Sequence, residues 1–352
     1  MRIALDATPL SMPTGGIRRY TVELAVALAD REPRDEILLV SDQTIDLPER
    51  LRCLPNVSVP PFSTPLFRAK WWSIGLPLTL LRLGADVFHG TDFSVPYIPV
   101  TPSVMTIHDL SPWKTAALRP AGSGRVANRT PYLLPLATRI HTPTEAIRRE
   151  AISYFGLAKS RVRSIHHGVA PLQPDPSFKT PSGPYIAYLG DHGARKNTET
   201  LVAAWRLARG RLPDLGLVML GPAGASIPDE PRLTIVEGSS DPELAAWLTG
   251  ARALVYPSLY EGFGLPVIEA MSLGVPVITS QDPALVEVAG GCALHVPADS
   301  VELLSEAILR TVVDRELAER LRTDGLTRAT EFSWQRSARS TREFYLEAIQ
   351  AW

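Results

Sequence analysis

Short apolar segments alternate with helical patterns along the chain, and this alternation limits the fold more than any other feature. The strands predicted in the first half are Arg2–Asp6, Glu36–Ser41, Val87–His89, Ser103–His108 and Arg139–Thr142. Those predicted in the second half are Tyr185–Gly190, Gly216–Gly221, Leu233–Glu237, Ala253–Pro257 and Val275–Ser280. Strands that are separated by helices pair in parallel as βαβ units. The chain is therefore predicted to be an α/β protein with doubly wound parallel sheets.

A proline-rich segment, residues 171–184, divides the chain, with five prolines in fourteen residues. A segment of this composition is expected to be an extended linker. The length of 352 residues suits two domains, which we place at residues 1–170 and 185–334. The amphipathic C-terminal segment, residues 335–352, is expected to pack back on the first domain. Two such domains would face each other across a cleft and bind ligands at the carboxyl ends of their strands.

The composition excludes several classes of protein. A net charge of −1 gives no reason to expect nucleic acid as a partner. The two cysteines, Cys53 and Cys292, lack the spacing of a metal site, so no metal and no cofactor are expected. The apolar stretch Trp71–Leu81 is too short to span a bilayer. The N-terminus lacks the apolar core of a signal peptide, so the protein is expected to be cytoplasmic.

The segment 258–280 carries the most specific chemistry. A loop with two glycines, Ser258–Gly264, leads into a helix that has Pro266 at its start. The N–H groups of Phe263, Gly264 and Leu265, at the start of the helix, suit phosphate or sugar oxygens. Glu261 in the loop and Glu269 in the first helical turn can each accept hydrogen bonds from a vicinal diol. Taken singly, Glu261 could be a solvated loop residue and Glu269 an acid that the helix dipole favours.

Residues 258–278 resemble the signature of the family-four retaining glycosyltransferases of the GT-B fold, in which seven residues separate two glutamates. The resemblance extends over the whole chain and is strongest to bacterial mannosyltransferases of surface-polysaccharide assembly. Its other motifs are Asp86–His89, Val104–Leu110, His166–Val169, Arg195–Asn197 and Phe332–Trp334. The resemblance implies that Glu261 contacts the transferred sugar and that Glu269 contacts the nucleotide ribose.

The same resemblance assigns the donor diphosphate to Lys196, whose charge would stabilise the leaving group. Many members of the family also place an arginine directly after the strand glycine, where this chain has Asp191. We therefore expect Arg195 to supply the second positive charge. The alternative is that Arg195 and Lys196 form an exposed basic pair at a helix start.

In the first half, the resemblance assigns His108 to the donor sugar and the loop of Gly15 and Gly16 to the donor phosphates. A histidine at a strand end can also be a buried residue with satisfied nitrogens, and a glycine pair alone is weak as a motif. His89 and Asp92 are candidate acceptor contacts. Asp109 is expected to orient His108 or its loop.

From Leu110 to Thr144 the chain has no acidic residue. The basic residues of this segment, together with Trp71, Trp72 and Trp113, predict a face for an anionic acceptor at a membrane surface. A solvated basic surface over core tryptophans is an equal alternative. The basic residues are Lys114, Arg119, Arg125, Arg129 and Arg139.

The resemblance implies a retaining, metal-independent hexosyltransferase, with GDP-mannose as donor and a glycan or polyprenyl-diphosphate-linked glycan as acceptor, and with peripheral contact at the cytoplasmic face of the inner membrane. The family implies a front-face reaction in which the leaving phosphate oxygen takes the acceptor's proton. A sugar-nucleotide epimerase on the same fold and a non-catalytic sugar-nucleotide-binding protein remain open. A dehydrogenase is not expected, because neither strand-to-helix turn has the required glycine spacing or the acidic residue that follows it.

Overall fold

The computed structural model describes residues 1–61, 70–120, 122–170, 172–222 and 230–352, which divide into two compact units. The first unit comprises Met1–Pro112, Ala121–Gly168 and Ser333–Trp352. The second comprises Trp113–Pro120 and Val169–Phe332. Trp113–Pro120 therefore groups with the second unit, although the sequence had placed it in a first domain of residues 1–170.

The first unit is built on a seven-stranded sheet in which all the pairings are parallel. The strand order is β3-β2-β1-β4-β5-β6-β7, so the winding direction reverses between β1 and β4. The central strands are buried along their length, as expected for a sheet that helices cover on both faces. The strands are β1 (Arg2–Asp6), β2 (Glu36–Val40), β3 (Val57–Ser58), β4 (Val87–Gly90), β5 (Ser103–Thr106), β6 (Arg139–Thr142) and β7 (Val162–Ser164).

The second unit has a six-stranded parallel sheet of order β10-β9-β8-β11-β12-β13, which reverses between β8 and β11. Ala187 of β8 pairs with Leu254 of β11, so the carboxyl ends of these two strands are neighbours. In open α/β sheets such a switch point is where ligands bind. The strands are β8 (Tyr185–Leu189), β9 (Gly216–Leu220), β10 (Leu233–Val236), β11 (Leu254–Tyr256), β12 (Val277–Ser280) and β13 (Leu294–Val296).

Helices connect the strands in both units. In chain order they are α1 (Gly16–Arg31), α2 (Glu49–Arg52), α3 (Leu76–Leu83), α4 (Gly124–Leu133), α5 (Glu145–Phe155), α6 (Thr198–Arg209), α7 (Asp241–Thr249), α8 (Leu265–Ser272), α9 (Pro283–Ala289), α10 (Val301–Val313), α11 (Arg315–Ala329) and α12 (Trp334–Gln350). A π-helical turn, Trp71–Gly75, precedes α3. No helix of the described ranges is both long and apolar enough to cross a bilayer.

The C-terminal helix α12 belongs to the first unit. Its side chains Phe344, Tyr345 and Ala348 are buried in one cluster with Ile3 and Leu24. The Ser333 hydroxyl caps its start by accepting from the Arg336 N–H at 3.2 Å. The apolar stripe of this helix thus completes the core beside α1.

The predicted linker has no helix or strand in residues 172–184, and Pro171 lies outside the described residues. Phe178 packs edge to face on Trp247, with 5.6 Å between the ring centroids. The Asp175 N–H donates to the Pro242 carbonyl at 3.1 Å. This segment is therefore attached to the surface of the second unit.

Candidate active site

Lys196 lies at the carboxyl edge of the second sheet, in the connection between β8 and α6. A short 3-10 turn, Ala194–Lys196, carries it. Although lysine is rarely buried, this side chain is only 7% exposed. Its Nζ donates to the Tyr256 hydroxyl and to Glu261 Oε1, at 2.6 Å each. The ammonium also lies 5.0 Å from the centroid of the Tyr256 ring.

Arg195 reaches the same carboxylate from the other side. Its Nη1 donates to Glu261 Oε2 at 3.1 Å and to the Tyr260 carbonyl at 2.8 Å. Each oxygen of Glu261 therefore accepts from a different cation. Three of the residues predicted to contact the donor in this half, Arg195, Lys196 and Glu261, therefore lie together, and Lys196 and Arg195 do not form an exposed basic pair.

Glu261 is buried, with 6% of its surface exposed, so it is not a solvated loop residue. Burial alone would raise its pKa, but the charges of Lys196 and Arg195 outweigh burial and hold the pKa at about 2. The carboxylate is therefore ionised at neutral pH. The Tyr256 hydroxyl beside it stays neutral, because burial and the Glu261 charge raise the pKa of this tyrosine well above 10.

Asp282 fixes the backbone of the loop that carries Glu261. Its Oδ2 accepts from the Glu261 N–H at 3.3 Å. Its Oδ1 caps α9 by accepting from the Ala284 and Leu285 N–H groups at 3.0 and 3.1 Å. Burial, assisted by the nearby Glu261 charge, raises the pKa of Asp282 to about 6, although these donors oppose the rise.

Gly264 begins helix α8 in a left-handed conformation, with φ of 88°. A β-carbon there would lie 2.5 Å from a methyl carbon of Leu285, so glycine is needed for conformation and for space. The Phe263 side chain packs into the core against Phe332, with 5.8 Å between ring centroids. Since this side chain lies in the core, the donor-binding role predicted for Phe263 concerns its backbone alone.

Glu269 is buried in α8. The sequence placed it in the first helical turn, and this placement is wrong. The helix begins at Leu265, so Glu269 is its fifth residue and lies beyond the first turn. The alternative interpretation of Glu269, as an acid that the helix dipole favours in the first turn, therefore does not apply.

Asp191 directs its carboxylate at its own loop. Its Oδ1 accepts from the Gly193 N–H at 2.9 Å, and its backbone carbonyl accepts from the Tyr188 hydroxyl. The Asp191 side chain thus shapes the connection between β8 and the Lys196 turn.

In the first unit, Gly15 and Gly16 lie at the exposed N-terminus of helix α1. Gly15 has a φ of 125°, a backbone conformation that residues with a side chain rarely adopt. Among the described residues, no atom apart from the adjoining backbone lies within 4 Å of where a β-carbon of either glycine would be. Packing against these residues therefore does not require the small size of Gly16.

His108 follows strand β5 and is half-buried. Its Nε2 lies 2.7 Å from the Thr91 carbonyl, and its ring meets Tyr20 edge to face at 4.9 Å. Asp109 Oδ1 accepts from the Ser111 N–H at 2.8 Å, so it orders the loop. Burial raises the pKa of Asp92, and the Asp109 charge adds to this while His108 and Arg129 oppose it.

His89 is fully buried, which contradicts its assignment as an acceptor contact. Its Nδ1 lies 2.6 Å from the Tyr345 hydroxyl, and its Nε2 lies 2.7 Å from Thr106 Oγ1. Burial, with smaller contributions from His141 and His108, lowers its pKa well below 6.5. The ring is a neutral part of the core, because helix α12 covers this strand end.

The tryptophans and basic residues that were predicted to form a face for an anionic acceptor divide between the core and the surface. Trp71 is buried in a cluster with Phe88. Arg129 lies over the Trp72 ring at 5.7 Å, and Lys114 lies over the Tyr260 ring at 4.5 Å. These tryptophans are thus not a continuous exposed face.

Two residues of the site were not singled out by sequence reasoning. Tyr256 lies inside an apolar strand and resembles any other core residue until its hydroxyl is found beside Lys196. Asn197 belongs to the Arg195–Asn197 motif, but the sequence assigns it no role of its own. Its left-handed backbone, with a φ of 57°, could have been suspected because it is an asparagine directly before a helix.

A cavity of about 380 Å³ lies in the first unit. None of the predicted site residues lines it, so it gives no support to their assignment. Its charged lining residues are Glu145, Arg148, Lys159, Arg163 and Glu347. No group of three or more metal-ligating side chains occurs within the described part of the chain.

Comparison with known proteins identifies the family. Residues 14–171 match Glycosyltransferase Family 4, and residues 183–314 match Glycosyl transferases group 1. The O-antigen chain mannosyltransferase B of Escherichia coli is 28% identical over 98% of this chain and 99% of its own length.

Solved structures share the fold over the full chain. The sucrose-phosphate synthase of Thermosynechococcus elongatus superposes with a TM-score of 0.74 at 23% identity, covering 100% of both chains. Anabaena Alr3699/HepE, in complex with UDP-glucose, has a TM-score of 0.70 at 16% identity and covers 97% of this chain and 98% of its own. Both halves of the sequence and both parallel-sheet units thus lead to one conclusion: the chain belongs to the family-4 glycosyltransferases of the GT-B fold.

Proposed function

We propose that this glycosyltransferase transfers mannose from GDP-mannose to a glycan or lipid-linked glycan, with retention of configuration and without a metal ion. The observation that carries the proposal is the pair of cations, Lys196 and Arg195, held against one ionised carboxylate at the switch point of the second sheet. A nucleoside diphosphate is the leaving group whose charge such a pair can stabilise.

Glu261 pairs with both cations, so the three side chains together keep a net charge of +1. The donor diphosphate would compete with Glu261 for Lys196 and Arg195, since phosphate oxygens accept charge-assisted hydrogen bonds as carboxylates do. Release of one or both Glu261 oxygens would let this carboxylate accept from hydroxyls of the transferred sugar. The side chains would then do what a divalent cation does in metal-dependent transferases.

Glu269 and the start of helix α8 provide the remaining donor contacts of this unit. Its N-terminal N–H groups, at Phe263 to Leu265, favour an anionic oxygen. Glu269, one turn further on, is assigned to the ribose hydroxyls. In the first unit, His108 is assigned to the donor sugar, Gly15 and Gly16 to the phosphates, and Asp92 to the acceptor.

The choice of GDP-mannose rests on the Escherichia coli relative, which is called a mannosyltransferase. The Anabaena neighbour binds UDP-glucose, so a uridine donor is the main competing choice.

The test is donor turnover in EDTA with a panel of GDP-, UDP- and dTDP-sugars, with and without a polyprenyl-diphosphate-linked glycan. We expect GDP-mannose to be consumed fastest, and sugar to appear on the acceptor. Conversion of a donor into its epimer without an acceptor would establish the epimerase instead. Binding without transfer or hydrolysis of any donor would show a sugar-nucleotide-binding protein.

A further inference from the structure

Asn197 closes the turn that carries Arg195 and Lys196, and it does so in a left-handed conformation with φ of 57°. A side chain with a β-carbon is disfavoured in this region, and asparagine and aspartate are the residues that tolerate it best after glycine. Helix α6 begins at the next residue. The conformation of Asn197 therefore sets the direction in which the chain leaves the cationic turn.

The side chain of Asn197 binds two carbonyl groups from separate parts of the sheet edge. Its Nδ2 donates to the Pro257 carbonyl at 3.1 Å and to the Ala298 carbonyl at 2.7 Å. Pro257 directly follows strand β11, and Ala298 lies just beyond strand β13. Because both partners are acceptors, only the NH₂ group of the amide can face them.

One further hydrogen bond joins the same turn to the loop of Glu261. The Leu259 N–H donates to the Arg195 carbonyl at 2.8 Å. The turn is therefore fixed in register with residues 257–261 at its backbone and through Asn197, in addition to the ion pairs of its two cations. The ion pairs would be exchanged when a diphosphate binds, whereas the Asn197 bonds involve no charge and need not change.

We propose that Asn197 is a positioning residue that holds Lys196 and Arg195 for the donor diphosphate. This inference rests on the proposed function, in which these two cations bind that group. Glycine would supply the left-handed backbone without the two donors. Glutamine would supply the donors, but its longer side chain places them elsewhere and it does not adopt this backbone readily. Asparagine meets both requirements.

The experiment measures the affinity of GDP relative to guanosine, and of UDP relative to uridine, by calorimetry for the full chain. The ratio isolates the contribution of the phosphates, which a change in overall stability does not alter. The variants are Asn197→Gly, which keeps the backbone and deletes both bonds, and Asn197→Ser, which retains one shorter donor. Lys196→Ala is the reference for loss of a diphosphate contact.

Asn56 provides a matched control in the first unit. Its Nδ2 also donates to two carbonyls, those of Ala29 at 3.0 Å and Asp35 at 3.1 Å. Asn56→Gly deletes an equivalent pair of bonds away from the cations. It is expected to lower the melting temperature and to leave the diphosphate-to-nucleoside ratio unchanged.

We expect Asn197→Gly to lower the ratio about tenfold, since misplacing one or two charge-assisted contacts changes binding by that order. Asn197→Ser should fall between this variant and the wild type. A wild-type ratio in both Asn197 variants, with Lys196→Ala reduced, would overturn the positioning role alone. A wild-type ratio in Lys196→Ala would instead refute the proposed function.

Discussion

Substitution of Glu261 by glutamine tests how the side chains of Lys196 and Arg195 are held in place. Glutamine has nearly the same shape but no charge, so Lys196 and Arg195 would remain beside a neutral side chain. The pKa of Glu261 falls from its ordinary value of 4.5 to about 2 in the folded protein. This difference corresponds to about 3 kcal/mol of stabilisation at neutral pH, within the range of about 3–5 kcal/mol for breaking a buried ion pair.

A loss of about 3 kcal/mol predicts a fall in melting temperature of about 6–12 °C, for a cooperative unit of 150–250 residues. The nucleoside diphosphate should restore much of this loss, because its phosphates replace the missing negative charge. Glu261→Gln is therefore expected to bind GDP at least as tightly as the wild type while sugar transfer is abolished.

Differential scanning calorimetry with and without saturating GDP measures both effects. Glu319→Gln is the control, since Glu319 pairs with Arg322 at 2.8 Å on the exposed surface of the same unit. Surface pairs contribute little, so its melting temperature should match that of the wild type. An unchanged melting temperature for Glu261→Gln, or a loss that GDP does not reduce, would refute the counter-ion role of Glu261.

Three other predictions concern the diphosphate, the ribose and the core. Lys196→Ala should weaken GDP binding about tenfold or more and guanosine binding hardly at all; equal losses in calorimetry would contradict a diphosphate contact. Glu269→Ala should weaken GDP but not 2′,3′-dideoxy-GDP, and equal losses for both ligands would remove the ribose role. Acid should destabilise the first unit, because burial lowers the pKa of His141 to about 4. The nearby His108 adds to this lowering, and the hydrogen bond to the Ile165 carbonyl opposes it. The unfolded imidazole binds a proton below about 6.5 and the folded one does not, so up to about 3 kcal/mol of stability should be lost between pH 6.5 and 4; a flat urea midpoint over that range would disprove this.

The alternation of strands and helices was enough to predict both sheets, because long apolar runs and strong helical patterns carry their own signal. Helix α6, Thr198–Arg209, shows such a pattern, because its buried residues form a clear apolar stripe. The strands β3, β7 and β13 were missed because two or three residues show no period. Helix α11 was missed because its sequence is mostly polar and its buried side contains only Leu317, Leu321, Gly325 and Ala329.

The sequence predicted that Lys196 and Arg195 act together, but not which side chains surround them. Tyr256 and Glu261 are 60 and 65 residues from Lys196 along the chain, so no local pattern reports that they share its ammonium. His89 and His108 both follow apolar runs, and the sequence does not say which one is covered. Tyr345, 256 residues away, decides this by binding the ring of His89.

The residue that the sequence made most doubtful, Asp191, illustrates the same limit. A carboxylate beside a diphosphate site would repel it if the side chain pointed there. Its hydrogen bond to the Gly193 N–H instead keeps the carboxylate on its own loop. Residue type predicted a charge, and only the local turn determines where that charge acts.

NMR of the anomeric centre in the product formed from GDP-mannose, with EDTA present, tests both the retention of configuration and the independence from metal. We expect an α-linked mannose, formed at the same rate with and without added Mg²⁺, because Lys196 and Arg195 balance the negative charge of the leaving diphosphate. A β-linked product, or transfer that begins only when Mg²⁺ is added, would contradict this expectation.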